Sequence, residues 1–129
     1  MARELVNKLR RMVQAKLKEI DGLDAGLITP PDMVEEGKYY FGYDLRTSLN
    51  HRDLSYDNEQ YTISIIGYLS TKGGTQKQFD DYLDAICEKL GELRFRPTTQ
   101  DSPISPDTKY RECMLTAYAQ LNTLEKTLR

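Results

Sequence analysis

Apolar positions along the chain follow two periods, and the switches between them mark the elements. Leu5, Val6, Leu9, Met12, Val13, Leu17 and Ile20 recur at helical spacing, which predicts an amphipathic helix over about residues 3–20. Gly22 and Gly26 follow as stop signals. Residues 21–38 lack any period and contain Pro30-Pro31, so a long loop is expected there. Alternation begins at Tyr39, where Tyr39, Phe41, Tyr43 and Leu45 share one side of a strand over about residues 39–46. Residues 48–60 read either as a short edge strand around 51–56, turning at Asp57-Asn58, or as a plain loop. Over residues 61–70, Tyr61, Ile63, Ile65 and Leu69 alternate with Thr62, Ser64, Ile66 and Tyr68. Apolar groups on both sides predict a central strand.

Lys72-Gly73-Gly74 breaks that strand. Thr75, with Gln78 three residues on, forms the sequence of a capping box. Phe79, Tyr82, Leu83, Ile86, Leu90 and Leu93 then mark a second amphipathic helix, with Gly91 capping or interrupting its end. Pro97, Pro103 and Pro106 predict a second long loop over about 94–108. A last strand over about 110–121 sets Cys113, Leu115, Ala117, Ala119 and Leu121 against Met114, Thr116, Tyr118 and Gln120. Its small residues admit a closely packed helix. The expected fold is α+β in the order α-β-β-β-α-β, an antiparallel sheet of about four strands with two main helices on one face. At 129 residues the length fits one domain over 1–129.

Composition changes this picture in two places. Nine residues are Tyr and none is Trp. Tyr39, Tyr40, Tyr43, Tyr56, Tyr61 and Tyr68 fall in one stretch, which suits strands first and an interface second. Net charge is -2, which argues against a free-standing nucleic-acid binder. The charge is uneven: residues 1–20 hold Arg3, Lys8, Arg10, Arg11, Lys16 and Lys18, whereas 21–60 are acidic. Opposed patches can orient copies of one protein against each other. Cys87 and Cys113 are far apart, without metal spacing, and are expected to be reduced thiols. No signal-peptide pattern and no apolar run of membrane-spanning length is visible, so synthesis in the cytoplasm and no membrane partner are expected.

Candidate chemistry is sparse. His51 is the only histidine, and two distant cysteines complete neither a zinc set nor a nucleophile and base pair. Asp32 with Glu36-Gly37-Lys38 has the residue types of a metal-dependent nuclease. Four residues beside two prolines leave no room for the hairpin such a site needs. Residues 21–26 lack the alternation of a calcium loop. Lys72-Gly73-Gly74-Thr75 reverses the order of a phosphate-cradling loop and is accounted for by a strand-to-helix turn. The basic first helix has no aromatic anchors for a membrane, and burial of its apolar side on a sheet explains it more simply. No catalytic, cofactor-binding or metal-binding residue is assigned.

The Leu5-to-Ile20 stripe, Tyr39-Tyr40-Phe41-Gly42-Tyr43, the strand over 61–70 and the helix from Phe79 to Leu93 together resemble the tail-completion (tail-terminator) proteins of long-tailed bacteriophages. The resemblance is one of architecture and pattern over nearly the whole chain. It implies a non-enzymatic virion protein at the head-proximal end of the tail, without a cofactor. It further implies a homohexameric ring that caps the tail tube protein, stops its polymerisation and presents a surface to the head-completion or connector protein. DNA would pass through the lumen without specific binding, and the acidic 21–60 region would partly face it. Ring closure needs one face of each subunit to complement a different face of the next. Arg46, Arg52, Asp53 and Lys72, all expected at exposed loop positions, are the interface candidates. The competing readings are another phage head-tail connector or neck adaptor, and a metal-dependent enzyme or small-ligand domain with a polar pocket near Asp32 and Glu36.

Overall fold

The computed structural model describes residues 2–26, 28, 30, 33–52, 59–101, 109–122 and 127–128. The helical stripe folds as α1 (Ala2–Lys18), whose Val6, Leu9, Val13 and Leu17 are buried. Glu4 in its first turn and Lys16 and Lys18 in its last complement the helix dipole. The chain turns at Gly22, in the left-handed region at φ 80, into a short strand β1 (Leu23–Gly26). Two long strands follow, β2 (Tyr39–Arg52) and β3 (Glu59–Lys72). They pair antiparallel along their whole length, with one irregularity between Leu49 and His51.

Gly73 and Gly74, at φ 79 and 76, carry the chain from β3 into α2 (Gln76–Glu92). The capping box forms: the Thr75 hydroxyl accepts from the Gln78 amide at 3.2 Å, and Gln78 Oε1 accepts from the Thr75 amide at 3.2 Å. Gly91 lies inside the last turn, and Leu93 is the C-cap. Beyond it come β4 (Arg96–Asp101), β5 (Tyr110–Asn122) and β6 (Thr127–Leu128).

The fold is α+β, but the sheet departs from the expected four antiparallel strands. Among the described residues it has six strands, ordered β1-β2-β3-β5-β4, with β6 also paired to β5. β1 runs parallel to β2, and the remaining pairs are antiparallel. Part of the expected 21–38 loop is therefore β1, and part of the 94–108 loop is β4. The strand expected to stop near Arg46 continues to Arg52, so His51 belongs to β2 and not to a separate edge strand. Asp57-Asn58 lies outside the described residues.

Alternation assigns the two sides of the sheet. Phe41, Leu45, Ile63, Ile65, Leu69, Cys113 and Leu115 are buried in one cluster with both helices. Ala117 and Ala119, both fully buried, keep β5 low under that cover. Phe41 also covers Gly67, where an added Cβ would stand 2.8 Å from its ring and 2.8 Å from the Gly42 carbonyl oxygen. Tyr39 stacks on Tyr82 of α2 with ring centres 4.1 Å apart. Across the surface, Lys16 Nζ of α1 meets Glu92 Oε2 of α2 at 3.0 Å.

Candidate assembly surface

The side of the sheet away from the helices has no covering layer among the described residues. Register aligns its positions in rows across the strands. One row runs Gly42, Tyr68, Met114, Gln100, and the next Asp44, Ile66, Thr116, Thr98. A third runs Arg46, Ser64, Tyr118, Arg96. Tyr118 is 48% exposed, while Ile66, Tyr68 and Met114 are half-buried by their neighbours. Arg46 Nε donates to Asp44 Oδ2 at 3.1 Å along this side. At one end, the Tyr110 hydroxyl donates to Glu112 Oε2 at 2.8 Å and lies 3.1 Å from Ser70 Oγ. Burial pushes this phenol up to about 12.

The two lateral edges differ. β1 pairs only with Tyr39–Gly42 of β2, so from Tyr43 to Arg52 the outer edge of β2 has no strand partner among the described residues. The opposite edge is β4, paired on its inner side to β5 and on its outer side to no described strand. An unpaired edge offers a row of backbone donors and acceptors to another strand.

A cleft of about 380 Å³ adjoins the free edge of β2. Arg10, Arg11 and Gln14 of α1 line it, with Gly26 of β1 and Tyr43 and Leu45 of β2. Among the described residues, Asp44 supplies its one carboxylate. Gln14 fixes its depth: Nε2 donates to the Ala25 carbonyl at 2.9 Å, and Oε1 accepts from the Tyr43 hydroxyl. Burial holds the Tyr43 phenol above its ordinary range, so it stays a donor. Arg10 Nη1 donates to Asn7 Oδ1 at 3.1 Å, and Arg11 has no ion-pair partner among the described residues. The cleft is therefore cationic, with one guanidinium free to take a carboxylate.

The interface candidates chosen from sequence are not brought together. Arg46 and Lys72 lie in strands, not loops: Arg46 is exposed in β2, and Lys72 ends β3 at the other end of the sheet. Arg52 is the last residue of β2, opposite Glu59, and Asp53 lies outside the described residues. The Lys72 carbonyl accepts from the Gly37 amide at 2.9 Å beside the Glu36 bridge. The features that stand out, the free edges and the Arg10–Arg11 cleft, were missed by those choices. A backbone edge has no side-chain signature, and the cleft exists only where α1 meets β2.

Among the described residues, no group of three or more His, Cys, Asp or Glu is placed to hold a metal ion. Glu36 is exposed, and Asp32 lies outside the described residues. Both cysteines are free thiols: Cys113 is buried, and burial, with the Asp84 carboxylate adding, holds the half-buried Cys87 thiol above its ordinary value. No described helix is long and apolar enough to cross a membrane. Compared with models of known protein families and with curated protein sequences, the chain matches none.

Proposed function

We propose that this chain is a structural assembly protein, a tail terminator of a long-tailed bacteriophage. In this reading six copies form a ring that caps the tail tube, stops its growth and presents a joining surface to the head-completion protein. The role is one of shape and contact, without catalysis. The observation that carries it is the pair of unlike edges on opposite sides of one sheet, each without a strand partner among the described residues. Unlike edges cannot satisfy each other within a two-fold dimer of the same patch. They pair head to tail, which gives a ring when the rotation closes. The uncovered side of the sheet, with Tyr118 and Ile66 between Arg46, Asp44 and Arg96, leaves a mixed polar and aromatic surface for a further partner.

Molar mass by light scattering on a sizing column, over a range of protein and salt concentrations and with or without purified tail tubes, tests this. A closed hexamer, formed alone or on meeting tubes, is the expected result. A monomer or dimer that persists and ignores tubes would overturn the reading.

A further inference from the structure

We propose that copies join by pairing β4 of one copy antiparallel with the free edge of β2 in the next, with Asp101 at the register position of Tyr43, a residue that lines the cleft with Arg10 and Arg11. This rests on the ring reading above and specifies its contact. Direction, backbone pattern, room and charge each constrain the pairing separately.

Direction comes from the sheet itself. β3 opposes β2, β5 opposes β3 and β4 opposes β5, so β4 and β2 run in opposite senses. Rotation about an axis along the strands preserves these senses, and β4 of one copy meets β2 of the next antiparallel.

The backbone pattern fixes the parity. Pro97 has no N–H, and a strand proline sits on an edge with that position turned outward. Alternation then turns the backbone groups of Pro97, Thr99 and Asp101 away from β5. On β2, the Gly42 carbonyl oxygen lies 2.8 Å from where a Cβ on Gly67 of β3 would stand, so Gly42 faces β3. Tyr43, Leu45 and Thr47 consequently turn their backbone groups outward. Setting Asp101 against Tyr43, Thr99 against Leu45 and Pro97 against Thr47 matches outward groups with outward groups. A slip of one residue would oppose outward groups to inward ones and exchange the two sides of the strand.

Room and charge choose among the registers of that parity. β1 already occupies Phe41 and Gly42, so Tyr43 is the first outward position open to a partner. From there the 6 residues of β4 span Tyr43 to Ser48. This register also brings a carboxylate residue to the cationic cleft that Tyr43 lines, where Arg11 lacks a partner among the described residues. A register two residues further along would move Asp101 away from it.

Cysteine pairs read the register directly. In this pairing Asp44 faces Gln100 at a non-hydrogen-bonded position, where Cα atoms stand about 4.5 Å apart, within disulfide range. Both side chains are exposed. The full-length Asp44→Cys/Gln100→Cys variant, with Cys87→Ser to remove the half-buried native thiol, is oxidised at ring-forming concentrations, with tubes present if they are required. The expected result is a ladder of covalent multimers, while Ser48→Cys/Gln100→Cys gives none. Charge reversal supplies a second readout. Arg11→Glu and Asp101→Lys should each raise the concentration for half-assembly by about tenfold or more, and the double reversal should restore it. Rings by light scattering without a 44–100 cross-link would overturn this contact and leave the ring reading standing. A chain that is monomeric under every condition would overturn both. Cross-linking without charge rescue would overturn the role of Asp101 and Arg11.

Discussion

On the helix side of β3, Ile63, Ile65 and Leu69 have no exposed surface, while on the other side of the same strand Thr62, Ser64, Ile66 and Tyr68 stay half-buried. Ile65 and Ile66 are adjacent and chemically identical, and they differ only in what lies over them. Two helices cover one, and neighbouring strand side chains partly shield the other. The difference teaches that hydrophobic content alone does not define the core of this sheet. The covering layer does, and the uncovered side retains apolar surface that its own chain never buries among the described residues. The polar partners on that side, Asp44 with Arg46 and Tyr110 with Glu112, are spaced along the strands rather than gathered into a reactive cluster.

Truncating each isoleucine is the sharpest way to break the comparison. Ile65→Ala should cost about 3 kcal/mol in urea denaturation, and Ile66→Ala under about 1 kcal/mol. Equal losses would mean that the open side is packed as tightly as the closed one. Gly67→Ala comes next, because its Cβ would press on the Phe41 ring and the Gly42 carbonyl on the covered side. A loss of about 1–3 kcal/mol is expected, and relief by Phe41→Leu in the double variant would trace the strain to that ring.

The smallest effect lies at the Tyr110 end of the open side. The folded chain raises this phenol from 10.0 to about 12, so it keeps a proton that the unfolded chain releases first. Its stabilisation is intact below about pH 10 and falls as pH rises toward about 12. Burial raises Tyr39 and Tyr43 as well, so both add to the stability that wild type loses as pH rises past the ordinary phenol value. Tyr110→Phe should lose less over the same interval, measured as the denaturation midpoint at each pH. An unchanged slope would remove Tyr110 from the account.

Where burial demands a pattern, the sequence shows it. Ile63 and Ile65 had to alternate with polar residues because one side of β3 is sealed, and the same demand spaces Val6, Leu9, Val13 and Leu17 along α1. The start of α2 was legible for a local reason, since Thr75 and Gln78 satisfy each other's backbone groups. β4 was hidden because an edge strand needs a partner on one side only. Arg96, Thr98, Thr99 and Gln100 are all exposed, and Pro97 reads as a loop signal. β1 is too short at 4 residues to show any period. Of the candidate assembly surface almost nothing was legible. Arg10 and Arg11 read as the solvated side of a basic helix until β2 is placed beside them, and the edges are made of backbone that every sequence shares.

The order of strands has a consequence during synthesis. β4 leaves the ribosome before β5, yet among the described residues of the finished sheet it pairs only with β5, which inserts between it and β3. Until β5 has emerged and found both neighbours, β4 has no strand to pair with, and the edge it presents is not yet part of a sheet. The helix α2 and the hairpin of β2 and β3 can form earlier from contacts close in sequence. Nascent chains crowded on one message would therefore lack one half of the proposed head-to-tail contact. If copies join as proposed, chain order alone would delay premature joining, because the β4 edge is complete only in the finished fold.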